Sequence, residues 1–150
     1  MNLRPLLGQQ LKDPNIIELL KLFDVDVVYS FDRDFEGQPD RYYASINAEG
    51  LELRFDEEQY LATIFVYVRG NDTFSPRELT SSDIEVFGNP SEAVEFAQKH
   101  GFPHKANLSN PTVPIWVRID EPEQSIHYQF GADGLSMVTL MVPSAVPGAA

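Results

Sequence analysis

A pattern that occurs twice limits what this chain can fold into. Leu51-Glu52-Leu53-Arg54-Phe55, an acidic turn and Leu61-Ala62-Thr63-Ile64-Phe65-Val66-Tyr67 form one stretch. Ile126-His127-Tyr128-Gln129-Phe130, a turn through Ala132-Asp133-Gly134 and Leu135-Ser136-Met137-Val138-Thr139-Leu140-Met141 form the other. In each, apolar and polar residues alternate with period two and a turn signal follows, the signature of a β-hairpin with one buried face. Upstream of each hairpin stands a cap-and-proline pair that opens an amphipathic helix, Asp13-Pro14 in one half and Asn89-Pro90 in the other. The pattern predicts an α+β fold of two layers, with one or two antiparallel sheets and the helices on one face. It predicts two tandem helix-plus-hairpin units, over about residues 10–70 and 85–143, within a single domain spanning 1–150. Residues 144–150, rich in Pro, Gly and Ala, read as a frayed tail.

The helix limits follow from local chemistry. Ile16, Ile17, Leu19, Leu20 and Phe23 recur at helical spacing and predict a buried stripe on a first helix ending near Phe23. In the second, Asn89-Pro90-Ser91-Glu92 is a capping-box arrangement, Ala93, Val94, Phe96 and Ala97 make the inward face, and Gly101 is placed to end the helix. Strands are expected over Val25–Ser30 and Arg41–Ala48, and from Ile115 to Ile119. Residues 70–83 read as the connection between units, and His104–Pro114 as loop because of Pro111 and Pro114. In the strand after the first turn, Ile64, Val66 and Val68 face the helices, which leaves Phe65 and Tyr67 on the far face. Trp116, between Ile115 and Val117, reads as a core or semi-core anchor in preference to the alternative, an interface hot spot.

Composition narrows the function classes. With no cysteine, the chain has no disulfide framework, thiolate metal site, thiol nucleophile or lipidated cysteine. The first ten residues carry only a short apolar patch, and no apolar run approaches membrane-spanning length, so the expected place of action is the cytoplasm, with no membrane partner. The net charge of −12 is spread over both halves and makes nucleic acid a poor partner.

No local motif carries chemistry. Asp32-x-Asp34-x-Glu36-Gly37 matches the start of a calcium loop, but the twelfth position is Tyr43 and Pro39 interrupts it. His100, His104 and His127 have no zinc-ligand spacing, and no serine sits in a nucleophile elbow. The expectation is a non-enzymatic binding module with no cofactor and no metal site.

Several stretches resemble a known group. Leu7-Gly8 before an Asp-Pro-capped helix, Gly50-Leu51-Glu52-Leu53-Arg54-Phe55-Asp56 with the following Leu-Ala-Thr-Ile-Phe-Val-Tyr strand, Phe87-Gly88-Asn89-Pro90 and the Trp116 strand with its Ile-His-Tyr-Gln-Phe hairpin cover nearly the whole chain. Together they resemble small bacterial proteins encoded beside polymorphic toxin genes, regarded as immunity proteins or uncharacterised. The duplicated unit is similar to the fold of small outer-membrane assembly lipoproteins. The resemblance implies an immunity protein; the acidic surface and the exposed aromatics of the sheet then point to occlusion of a cognate toxin, with a basic toxin domain as the partner that complements the charge. The residues expected to meet that partner are Asp32, Asp34, Glu36, Asp40, Glu57 and Glu58, with Phe65 and Tyr67. The rival reading is a scaffold or assembly factor acting through homodimerisation or by binding a peptide strand.

Overall fold

The structure, a computed structural model, describes residues 1–31, 37, 39–109 and 114–147. Among the described residues two helices, α1 (Pro14–Leu22) and α2 (Pro90–His100), accompany eight strands. The strands are β1 (Val28–Ser30), β2 (Arg41–Ile46), β3 (Leu51–Phe55), β4 (Leu61–Val66), β5 (His104–Asn107), β6 (Ile115–Asp120), β7 (Ser125–Gly131) and β8 (Gly134–Met141). They form one antiparallel sheet in the order β1-β2-β3-β4-β8-β7-β6-β5. The seam between the two hairpins is the β4–β8 pairing, where Ile64 lies opposite Leu140 and Phe65 opposite Thr139.

Alternation decides which residues enter the core. In β3 and β4, Leu51, Leu53, Phe55, Leu61, Ile64 and Val66 are fully buried, and in β6–β8 so are Val117, Val138 and Leu140. These side chains form one cluster with Ile16 and Leu19 of α1 and with Ala93 and Ala97 of α2, so both helices cover the same face. A bulge between Arg54 and Phe55 leaves Ala62 unopposed and keeps both Leu61 and Thr63 in register.

The second helix is capped as its sequence implies. Glu92 N–H donates to Asn89 Oδ1 at 3.0 Å, and Gly88 N–H donates to Glu92 Oε2 at 2.7 Å. Gly101 takes the left-handed conformation at φ 68°, and Phe102 N–H reaches back to Ala97 O at 2.9 Å. The first helix begins differently from expectation. Asp13 stands at its N-cap, but its carboxylate accepts from Gln10 N–H at 2.7 Å and fixes the preceding turn instead of capping the helix.

Other departures have local causes. Ile17 is 37% exposed, since it lies about 100° round the helix from Ile16, and this nine-residue helix buries only a narrow stripe. The strand expected from Val25 is confined to Val28–Ser30, because Asp24 turns into the left-handed region at φ 50° and Val25 N–H closes the end of α1 on Leu20 O. The strand expected to reach Ala48 ends at Ile46, where a 3-10 turn over Asn47–Glu49 begins. His104–Asn107, expected as loop, is an edge strand; its partner β6 supplies the pairing that its own residues do not call for.

The segment between β4 and α2 is more than a tether. Leu79, Ile84 and Phe87 belong to the core cluster, and the Tyr128 hydroxyl donates to Glu85 O at 3.0 Å while its ring meets Phe87 edge-on. The N-terminal lead-in is fastened across the same layer. Leu3 and Arg4 N–H donate to the Asp83 carboxylate, and Arg4 pairs with Glu121 at 3.2 Å. No helix among the described residues is long and apolar enough to cross a membrane.

Candidate binding groove on the uncovered sheet face

The residues that alternate with the core point to the face that carries no helix. Cross-strand register sets Tyr43, Arg54, Thr63, Met141 and Ser125 in one row across β2, β3, β4, β8 and β7. The adjacent row runs Glu52, Phe65, Thr139, His127 and Arg118. Trp116 lies beside the second row, its indole stacked on the His127 ring at 5.0 Å. Two adjoining cavities follow these rows and share Arg54, Thr63 and Ala145. One, of ≈ 440 Å³, is walled by Phe65, Trp116, His127 and Met141, with Pro147 along its edge. The other, of ≈ 510 Å³, opens toward the β3–β4 turn among Asp40, Arg41, Glu57 and Glu58.

The charges in this groove are unequal. Arg118 is paired with Asp120, Nε to Oδ1 at 3.0 Å. Arg54 is half-buried and makes no hydrogen bond or ion pair among the described residues, and its Nε is both buried and without a partner. Its guanidinium instead lies over the rings of Phe65 at 4.7 Å and Tyr43 at 5.6 Å. Burial, and then the neighbouring Arg118 cation, holds the His127 imidazole below the ordinary histidine range, so at neutral pH it is uncharged. The aromatic part of the groove thus combines Arg54, unpaired among the described residues, with aromatic and thioether walls, on a protein of net charge −12.

Asp40, Glu57, Glu58 and Phe65 meet along this groove. Asp40 also accepts from the Tyr29 hydroxyl at 2.6 Å, a bond that pushes the phenol up to about 12. Asp56 shapes the acidic turn by accepting from the N–H groups of Glu58 and Tyr60, with Gln59 left-handed at φ 69°. Tyr67 stands apart, its ring stacked on Phe74 at 4.1 Å, and burial raises its phenol. Asp32, Asp34 and Glu36 lie outside the described residues.

Arg54, Trp116 and His127 were not among the residues selected from sequence. Trp116 is half-buried on the face opposite the core, so its indole anchors the groove and not the hydrophobic interior. The strand alternation carried this signal, since Trp116 and Arg118 flank the buried Val117 and must share its opposite side.

Another cavity, ≈ 670 Å³ beside Arg4 and Glu121, is a joint of the fold. There the Arg4 guanidinium is already held by Glu121, Gln124 and the Asp83 carbonyl. Among the described residues no three His, Cys, Asp or Glu side chains gather as a metal-binding group. Searches of the chain against protein-family models, curated proteins and solved structures find no match in any of the three.

Proposed function

We propose that this chain is a non-enzymatic protein-binding module of the immunity type, which neutralises a partner protein by covering its working surface. The observation that carries the reading is the convergence of Asp40, Glu57, Glu58 and Phe65 on one groove of the uncovered sheet face, beside Trp116 and the unpaired Arg54. An acidic rim around aromatic anchors suits a partner with a basic surface. Long-range charge speeds encounter, and the desolvated rings govern dissociation. The reading includes a tandem construction, supported by the order helix then four strands in each half and by the central placing of β4 against β8. It also includes action in the cytoplasm.

The test is co-expression of the tagged protein with the product of the adjacent gene in its native host. The reading expects a stoichiometric complex in which the toxicity of the partner is lost. It expects Glu57→Lys with Glu58→Lys to slow association and flatten its dependence on salt. A clean, self-associated protein with no partner would overturn it.

One observation favours homodimerisation as a second reading. The outer strand β1 pairs only with β2 among the described residues and exposes Val28 and Tyr29, a sheet edge open to a second chain. A mass that rises with concentration and falls on Tyr29→Lys would support it.

A further inference from the structure

We infer that the ≈ 440 Å³ part of the groove is a binding site for a carboxylate attached to a flat apolar body, with Arg54 as its charge partner. The site stands on the groove alone and does not depend on the immunity reading. A half-buried guanidinium with a buried, unpartnered Nε is an expensive state, which proteins ordinarily relieve with a carboxylate or carbonyl. Arg4, Arg69, Arg77 and Arg118 have such acidic partners, at 2.8 to 3.2 Å; among the described residues Arg41 and Arg54 have none, and of these two only Arg54 lines this cavity. The guanidinium carbon lies over the Phe65 ring at 4.7 Å and the Tyr43 ring at 5.6 Å, contacts that leave its forked N–H donors without an acceptor among the described residues. That geometry favours the forked oxygens of a carboxylate.

The charge count favours a monoanion. Arg118 is neutralised by Asp120, and the half-buried imidazole of His127 is uncharged at neutral pH, which leaves Arg54 as the one cation of this cavity to answer one negative charge. The acids at the far end of the groove, Glu57 and Glu58, would repel a dianion such as a phosphate. The walls define the rest of the ligand. Trp116 stacked on His127, with Phe65 and Met141 in the same lining, offers an apolar surface for a ring or branched chain. Thr63 and Thr139 line the same cavity and bring hydroxyl groups to it. Its volume falls within the range of about 300–1,000 Å³ typical of small-molecule sites.

Trp116 is the sole tryptophan, so its fluorescence reports on the groove directly. The experiment titrates the full chain with phenylacetate, with the neutral phenylacetamide, and with N-acetyl-glycyl-phenylalanine, whose carboxylate belongs to a peptide terminus. The expected result is a saturable change with phenylacetate, with phenylacetamide and the Arg54→Met variant each weaker by about tenfold or more, as for loss of a charge-assisted bond. Tighter binding of the peptide than of phenylacetate assigns the site to a chain terminus, and the reverse assigns it to a free acid; either supports the carboxylate site. No saturable change with either acid up to the solubility limit, or equal affinity for acid and amide, overturns it. The acid–amide comparison uses the unaltered protein and so holds even if Arg54→Met folds poorly. Binding of phenylacetate with no toxic partner recovered would refute the immunity reading alone.

Discussion

Leu140→Ala should be among the most damaging single substitutions in the molecule. Leu140 is fully buried near the end of β8, an inner strand of the sheet, with Ile64 of β4 opposite it on one side and Ile126 of β7 on the other, both themselves buried. Strands on both sides hold the site open, so the space left by the lost carbons cannot collapse. Leucine-to-alanine changes in such cores cost about 2–5 kcal/mol, and this position belongs in the upper half, at about 4 kcal/mol. Against a typical total of about 5–15 kcal/mol, that is a large fraction of the stability. At about 2–4 °C per kcal/mol for a chain of this size, the melting temperature should fall by about 8–16 °C. Leu22→Ala is the control: Leu22 is 73% exposed and should change stability by under about 0.5 kcal/mol. The assay is urea denaturation followed by far-ultraviolet circular dichroism and by Trp116 fluorescence. Because the β4–β8 seam makes one sheet with one core, the two signals should move together in both proteins. A loss below about 1 kcal/mol for Leu140→Ala, or two separated transitions in the wild type, would refute the reasoning.

Three further outcomes follow from single positions. Gly50→Ala should cost about 3 kcal/mol or more by the same assay, because Gly50 has φ 64° and an added Cβ would come within 2.3 Å of Ser75 O; a cost near zero would show that the 70–76 loop is free to move away. Asn89→Ala should cost about 1 kcal/mol by removing the cap on Glu92 N–H, and Asn89→Ser should restore most of it. His127 has a native pKa below its ordinary 6.5, so the unfolded chain binds more protons as pH falls through that value. Stability should therefore drop on acidification below about pH 6.5 and level off once the native imidazole also protonates, and His127→Asn should remove this component. Unfolding measured at pH 7.5 and 5.5 decides it, and a wild type that gains stability relative to the variant at the lower pH sinks the assignment.

The parts legible in the sequence were those set by neighbours along the chain. The alternation of Leu51 to Phe55 and the Asn89-Pro90-Ser91-Glu92 start of α2 each fix a local geometry, and both elements formed where the pattern put them. Elements that depend on distant partners were less legible. His104–Asn107 is a strand because β6 pairs with it, and the prolines that suggested loop lie at 111 and 114, beyond its end. Leu79, Ile84 and Phe87 enter the core from a connection with no helical or strand period. The groove divides in the same way. Phe65 was visible because β4 is apolar on both faces, whereas Arg54, Trp116 and His127 stand on three different strands and come together only through the register of β3, β4, β8, β7 and β6. No spacing within one segment encodes that meeting. Tyr67 shows the converse: its face was legible, but the Phe74 ring that covers it comes from the following loop.

The contact surface itself can be observed through one atom. Protein carrying 5-fluorotryptophan has a single fluorine label, at Trp116, and the co-expressed partner can be added unlabelled. If the uncovered face binds the partner, the fluorine resonance shifts or broadens on complex formation, and Phe65→Asp weakens the complex. If a complex of defined stoichiometry forms while the fluorine resonance stays unchanged and Phe65→Asp binds as tightly as the wild type, the groove is not the contact surface and the account is contradicted.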